Sequence, residues 1–350
     1  MVSMFGMTAF AEDGGYWKNE NNIVTIQKSL KVGSYLYTPD VTFTFLVSAA
    51  DAVSGENFKA EAGIPGAIID KEVSIAFSKD DGTVDEDADW TIVKNSADNE
   101  VVKGFKFDAT KFPKVGIYHY QVEEINQTYE GMKYAEPKDL YVYVTNKMDD
   151  NDQPTDTKEL TFIMEDASGV KSEVFANEYG TDSATVGTLT IEKQVKGLLG
   201  NLDTPFEFHI TVTSDPITTE QYYMIIRDDS EAKNIVERKT IAQNTDVKFE
   251  LQDGYTATIY GLSKSDGYEV WEVGTEGYGT EVNDTPIEEI SEDGKITGNA
   301  IEMPSLVFTN TNKGEVPTTG LILNIAPYVL MVVLAGGLAF LFLRRRKNNF

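Results

Sequence analysis

The sequence predicts an all-β protein with two tandem β-sandwich domains, and three observations lead to this prediction. Apolar and polar residues alternate with a period of two in many short runs, which is the pattern of half-buried strands. Clusters of Gly, Asp and Asn separate these runs, as turns do between antiparallel strands. The second half of the chain also repeats the order of motifs in the first half, which indicates two copies of one domain. No amphipathic helical pattern precedes residue 321.

The clearest strand patterns lie at residues 41–47 and 206–212, where every second residue is apolar. Shorter runs of the same kind lie at residues 73–77, 118–122, 140–144, 257–260 and 306–308. Many short strands with turns between them are typical of β-sandwiches. The polar segment 178–187 separates the two copies, so we place the domains at residues 16–180 and 186–312.

The composition excludes several classes of function. The chain has 350 residues, with 57 acidic and 30 basic side chains and a net charge of −27, which argues against nucleic-acid binding through a basic face. It has no cysteine, so disulfides, zinc fingers, Fe–S clusters and thiolate catalysis are excluded. Its two histidines, His119 and His209, are predicted to point to the opposite side of their strands from their apolar neighbours, and so to be exposed. We therefore expect a structural or adhesive protein without enzyme activity, a metal or a cofactor.

Both ends of the chain have the pattern of targeting segments. Residues 321–343 carry no charge and are numerous enough to span a bilayer as a helix, and the basic tail 344–347 is expected to stay in the cytoplasm. The Ala-Phe-Ala sequence at residues 9–11 predicts a signal-peptide cleavage site, with 1–11 as the remnant of the signal peptide. We therefore expect a secreted chain with transient membrane retention. The alternative to a membrane span at 321–343 is a buried core helix, and the alternative to a signal peptide at 1–11 is an ordinary N-terminal extension.

Each predicted domain carries three polar residues on the apolar face of its strands, in the order Lys, Glu, Asn. They are Lys28, Glu124 and Asn177 in the first domain and Lys193, Glu272 and Asn310 in the second. Side chains alternate along a strand, so these residues point in the same direction as their apolar neighbours. Burying a lysine and a glutamate is costly unless they pair or become neutral. One interpretation is therefore a buried ion pair with a hydrogen-bonded asparagine. An error in strand register, with all three residues exposed, is another.

A third interpretation is a Lys–Asn isopeptide bond that each domain forms within itself. Desolvation lowers the pKa of a lysine, and the neutral amine is a nucleophile. The same surroundings raise the pKa of the glutamate, so that it can donate a hydrogen bond to the asparagine carbonyl oxygen and make the amide carbon electrophilic. Folding brings the groups together, so each domain reacts once. The recurrence of the same order in both halves favours this interpretation.

These motifs resemble the backbone pilins of sortase-assembled Gram-positive pili, the streptococcal-type isopeptide-linkage pilin family with Cna protein B-type immunoglobulin-like domains. The resemblance covers nearly the whole chain and rests on residues 24–30, 120–124, 175–177, 189–193, 268–272, 308–310 and 315–320. It implies two tandem Ig-like sandwiches. It implies the cross-links Lys28–Asn177 and Lys193–Asn310. It also implies that Glu124 and Glu272 are the acids that promote these bonds.

The resemblance further implies assembly by a sortase. The segment Val316-Pro317-Thr318-Thr319-Gly320 is similar to the Leu-Pro-any-Thr-Gly sorting signal, with Val316 in place of leucine, and residues 315–350 have the order of motif, span and basic tail. Cleavage between threonine and glycine would pass the acyl group to an amine. Lys171 is the candidate acceptor in the neighbouring subunit, because it shortly precedes the last-strand asparagine; an ordinary surface lysine is the alternative.

The resulting expectation is a structural subunit of a covalent pilus shaft, anchored to the cell wall of a Gram-positive bacterium. Its expected partners are sortase, neighbouring pilin subunits, peptidoglycan and, in an adhesive role, a host surface ligand. The alternative is a monomeric wall-anchored adhesin or minor pilin that uses the same domains.

Overall fold

The computed structural model describes residues 21–55, 58–98, 101–125, 127–182, 186–214, 220–300, 304–312, 314, 331–332 and 334–335. Before residue 331, this part of the chain is almost entirely strand and connecting turn, which confirms the predicted all-β class. The helical elements that lie wholly within it are two 3₁₀ turns, Pro65–Ala67 and Ala109–Lys111, and the one-turn helix α1, Ile287–Ile290.

Sixteen strands form the first half of the described chain. They are β1 (Ile23–Val24), β2 (Gln27–Val32), β3 (Val41–Ala49), β4 (Val53–Ser54), β5 (Lys59–Ala62), β6 (Ile68–Asp70), β7 (Glu72–Phe77), β8 (Trp90–Asn95), β9 (Ala97–Asp98), β10 (Val101–Val102), β11 (Phe105–Phe107), β12 (Gly116–Ile125), β13 (Met132–Lys133), β14 (Lys138–Met148), β15 (Pro154–Glu165) and β16 (Val174–Tyr179). The predicted strands at 41–47, 73–77, 118–122 and 140–144 are confirmed within β3, β7, β12 and β14.

Eleven strands form the second half. They are β17 (Gly187–Lys196), β18 (Phe206–Thr213), β19 (Gln221–Arg227), β20 (Ile235–Ala242), β21 (Val247–Leu251), β22 (Thr256–Leu262), β23 (Gly267–Val273), β24 (Tyr278–Val282), β25 (Thr285–Pro286), β26 (Lys295–Asn299) and β27 (Ser305–Asn312). The predicted strands at 206–212, 257–260 and 306–308 are confirmed within β18, β22 and β27.

Two larger sheets supply most of the core in the first half. One has the strand order β15-β14-β12-β3-β7 and the other β13-β16-β2-β8, with smaller sheets formed by β1-β11-β6 and by β9-β10. Alternate residues in the middle of β3 and β12, including Phe45 and Tyr120, are buried in the core, and Phe45 contacts Phe175 of the other sheet, with ring centroids 4.9 Å apart. The alternating sequence pattern thus becomes one apolar layer between two sheets.

Two sheets also form the second half, with the orders β20-β19-β22-β17-β27-β24-β25 and β21-β18-β23-β26. Phe208 of β18 and Phe308 of β27 meet across the sheets, with ring centroids 5.1 Å apart. In each half the first long strand lies beside the last strand and runs parallel to it, β2 with β16 and β17 with β27. This pairing positions the functional residues.

The two halves contact each other through aromatic and charged side chains. The ring of Tyr35, in the loop after β2, stacks on Tyr260 of β22, with centroids 4.4 Å apart. Arg238 of β20 makes a two-point ion pair with Glu86, which lies in the loop before β8. These contacts join residues far apart in sequence, and no sequence motif indicated them.

The prediction that both histidines are exposed is wrong. His119 is 9% exposed and His209 is 8% exposed. Each ring stacks on the aromatic residue directly opposite on the neighbouring strand, His119 on Tyr141 and His209 on Trp271. The two histidine side chains do point away from the core layer, as the alternation along their strands predicts, but large aromatic side chains on the neighbouring strands cover them.

The predicted targeting segments fall largely outside the described residues. These include the signal remnant 1–11, the sorting motif 316–320 and most of 321–343, within which residues 331, 332, 334 and 335 are helical. Among the residues that the structure describes, no helix has the length and apolar character needed to cross a membrane. The membrane span and the domain boundaries at 16–180 and 186–312 stay predictions.

Candidate functional site

The structure brings Lys28, Glu124 and Asn177 together in the first half of the chain. Lys28 on β2 lies opposite Phe175 of the parallel strand β16, so Asn177 follows two residues later on the same face. Glu124 reaches them from β12 in the other sheet. Its Oε2 accepts a hydrogen bond from Lys28 Nζ at 2.8 Å, and its Oε1 accepts one from Asn177 Nδ2 at 3.0 Å. One carboxylate therefore bridges the amine and the amide.

The same arrangement recurs in the second half. Lys193 on β17 lies opposite Phe308 of the parallel strand β27, and Asn310 follows two residues later on the same face. Glu272 comes from β23 in the other sheet. Its Oε1 lies 2.8 Å from Lys193 Nζ and accepts a hydrogen bond of 2.8 Å from Asn310 Nδ2. The register between lysine and asparagine is identical in the two halves.

Burial sets the electrostatics of both sites. Lys28 and Lys193 are each 0% exposed. Desolvation lowers the pKa of each lysine to about 8, although the neighbouring carboxylate acts in the opposite direction. Burial likewise raises the pKa of Glu272. Both amines also lie over aromatic rings, 4.3 Å from the centroid of Phe43 and 4.4 Å from that of Phe206. An aromatic face favours the ammonium form, so it is desolvation that shifts each lysine toward a neutral, nucleophilic amine.

The hydrogen bonds differ from the expected pattern in one respect. The glutamate was expected to contact the carbonyl oxygen of the asparagine, but in both sites it accepts from the amide nitrogen. Asn177 Oδ1 accepts instead from the backbone N–H of Ala135 at 2.8 Å. In the second site, Asn310 Oδ1 and Glu272 Oε2 are buried and have no hydrogen-bond partner within the described part of the chain. Sequence reasoning missed Ala135 because every residue except proline has a backbone donor.

The third kind of predicted site residue, Lys171, lies apart from both triads. It is exposed and forms an isolated antiparallel bridge with Glu165 after a short turn. The carboxylate of Asp166 caps this turn by accepting from the backbone N–H groups of Ser168 and Val170. Elsewhere in the described residues, no group of three or more His, Cys, Asp or Glu side chains could hold a metal ion.

Comparison with known proteins finds similarity to streptococcal pilins in sequence and in fold. Residues 187–312 match the domain of unknown function DUF7601. A pilin from Streptococcus pyogenes serotype M1 is 26% identical, and the alignment covers 92% of this chain and 90% of that protein. The crystal structure of the major pilin from Streptococcus pyogenes superimposes with a TM-score of 0.57 at 21% identity, covering 84% of this chain and 99% of that one.

A second solved structure gives the same result. The major pilin T3.2 from Streptococcus pyogenes serotype GAS13637 superimposes with a TM-score of 0.55 at 20% identity, covering 86% of this chain and 100% of that one. The chain is thus similar in sequence to a streptococcal pilin along nearly its whole length, and it has the fold of the streptococcal major pilins.

Proposed function

We propose that this protein is a shaft subunit of a pilus, cross-linked within each of two Cna protein B-type Ig-like domains by a self-formed Lys–Asn isopeptide bond. A sortase joins the subunits covalently and anchors the fibre to the cell wall. The similarity to streptococcal pilins supports the structural role. The observation that carries the proposal is the buried Lys–Glu–Asn triad, which recurs in the same strand register in both halves.

The geometry of the first site supports a simple reaction. The neutral amine of Lys28 attacks Cγ of Asn177, and the C–N bond forms. The Glu124 carboxylate takes a proton from Nζ through Oε2 and delivers it to Nδ2 through Oε1. The bond between Cγ and Nδ2 then breaks and ammonia leaves, so one amide replaces another without an external reagent.

The placement of the cross-links supports a mechanical role. Each bond would join the first long strand of a domain to its last strand, which are already hydrogen-bonded neighbours. Closing loops of roughly 150 and 120 residues corresponds to about 5 kcal/mol each in the chain-entropy model. A pulling force that enters at one end of a domain and leaves at the other would pass through the covalent bond rather than unfold the strands between.

Intact-mass measurement is the direct test of the cross-links. We expect the purified protein to weigh about 34 Da less than its sequence requires, because each bond releases one ammonia of about 17 Da. Asn177→Ala and Asn310→Ala should each lack one bond, so each variant should weigh only about 17 Da less than its own sequence requires. In the native protein, tryptic mapping should find the peptide of Lys28 joined to that of Asn177 and the peptide of Lys193 joined to that of Asn310. A native mass equal to the sequence mass would contradict the proposal.

Polymerisation is tested separately, through Lys171. Expression with a pilin sortase in a Gram-positive host should give a ladder of SDS-resistant multimers, and Lys171→Ala should abolish the ladder. Lys133→Ala is the matched control, because its side chain is 80% exposed and lies in the same half of the chain. A ladder that persists in Lys171→Ala would exclude Lys171 as the acceptor. Wall anchoring without any ladder in the native protein would instead support the monomeric adhesin.

A further inference from the structure

The carbonyl oxygen of Asn177 is held by a donor of its own. The backbone N–H of Ala135 donates to Asn177 Oδ1 at 2.8 Å, while the amide nitrogen of the same side chain donates to Glu124. Negative charge develops on this oxygen when an amine adds to the amide carbon. Backbone donors that already point at such an oxygen stabilise the transition state, because they need no reorganisation during the reaction.

The strand pairing explains why this donor is available. β13 pairs with β16 only through Met132 with Tyr179 and Lys133 with Glu178, so the chain leaves the ladder just before the position opposite Asn177. The N–H of Ala135 is therefore not used in a backbone ladder and reaches the side chain instead. The hydroxyl of Tyr134 accepts from the backbone N–H of Tyr129 at 2.8 Å, which closes the loop that carries Ala135.

The second half of the chain is built differently at the same place. There the strand β24, which lies between β27 and β25, continues past the asparagine, with Thr280 directly opposite Asn310. Its backbone groups belong to the ladder with β27, and Asn310 Oδ1 has no hydrogen-bond partner among the described residues. The two sites thus share lysine, glutamate, asparagine and register, but among the residues that the structure describes, only Asn177 has a donor on its carbonyl oxygen.

We propose that the backbone N–H of Ala135 is a catalytic donor for the first cross-link, and that it binds the oxyanion formed at Asn177 Oδ1 when Lys28 Nζ attacks Cγ. The inference rests on the proposed cross-linking reaction and adds a residue to it. In this reaction the C–N bond forms first, and the charge on Oδ1 is held by the N–H. That charge returns to re-form the carbonyl as the bond to Nδ2 breaks and ammonia leaves.

The test measures how fast each bond forms in the full chain. Protein that has never folded, collected from inclusion bodies and dissolved in urea, carries no cross-link. It is diluted into native buffer, samples are quenched with acid, and tryptic mapping quantifies each cross-linked peptide pair over time. Ala135→Pro removes the N–H, and we expect the first bond to form about 10² to 10³-fold more slowly. Ala135→Gly is the matched control, which keeps the N–H and should react at the native rate. The second bond, in the same molecules, should be unaffected by either change.

Two further measurements separate an effect on the reaction from an effect on folding. Tryptophan fluorescence follows folding independently, so slow folding is distinguished from slow chemistry. If Ala135→Pro does not fold, replacing Ala135 by its α-hydroxy analogue through semisynthesis removes the N–H and keeps the side chain. An unchanged rate of the first bond in a folded chain without this N–H would overturn the inference and leave the cross-link intact. If no bond forms between Lys28 and Asn177 in the native chain, it is the proposed function that fails.

Discussion

Replacing Glu124 by glutamine is expected to abolish the Lys28–Asn177 bond and to lower the melting temperature of the first predicted domain by roughly 10–20 °C. The loss of a long-range cross-link corresponds to about 5 kcal/mol. In a domain of this size, each kcal/mol shifts the melting temperature by about 2–4 °C. Lys28 would also remain at 0% exposure without the carboxylate that it contacts, which adds to the destabilisation. Differential scanning calorimetry and intact mass measure the two effects on one sample.

The neighbouring residue supplies a matched control for this experiment. Glu123 precedes Glu124 on β12, and its side chain points away from the triad because side chains alternate along the strand. Glu123→Gln should therefore keep both bonds and the native melting temperature. In the second half of the chain, Glu272→Gln should remove only the Lys193–Asn310 bond. A Glu124→Gln protein that still loses both ammonia molecules would show that the carboxylate does not promote the reaction.

The rate of cross-linking is expected to rise about tenfold per pH unit between pH 6 and pH 7. Above a pH of about 8, the rate should level off. Burial lowers the pKa of Lys28 and of Lys193 to about 8, so the fraction of neutral amine increases with pH up to that value. A lysine with its ordinary pKa near 10.4 would still be gaining reactivity at pH 9. First folding of the uncross-linked chain, diluted from urea into buffers at a series of pH values, gives the profile for each bond by acid quenching and peptide mapping.

Two outcomes would contradict this account of the pH dependence. A rate that keeps rising to pH 10 would mean that the lysines react with an unperturbed pKa. A flat profile between pH 6 and pH 8 would mean that the reaction begins from the ion pair, with the ammonium proton passing first to the glutamate. Fluorescence measured in the same samples controls for any effect of pH on folding itself.

Most of the strand pattern and the membership of both triads could be predicted from the sequence. Period-two alternation places Lys28 on the buried face of its strand, and the repeat of the motif at Lys193 strengthens that assignment. The histidines show the limit of the same reasoning. Alternation correctly directs His119 and His209 out of the core, but their burial depends on Tyr141 and Trp271, which come from other strands. The alternation of side chains along one strand does not indicate which residues of the neighbouring strand lie opposite them.

The orientation of the asparagine amide could not be predicted for a related reason. Glutamate and asparagine can pair through either end of the amide, and only the surrounding donors decide which end faces the carboxylate. In the first half the N–H of Ala135 holds the oxygen, so the nitrogen faces Glu124. That donor exists because β13 leaves the ladder after two residues, which is a property of strand pairing and not of residue type.

The sequence by itself thus determined the all-β class, the order of the repeated motifs and the residues that face inward, because these depend on the local alternation of side chains. It also carries the predicted sorting motif and the apolar segment 321–343, which lie almost wholly outside the described residues. Only the tertiary structure decided which atoms meet. The parallel pairing of the first and last strands, the bridging carboxylate from the opposite sheet and the unequal surroundings of Asn177 and Asn310 all depend on distances between segments far apart in the chain.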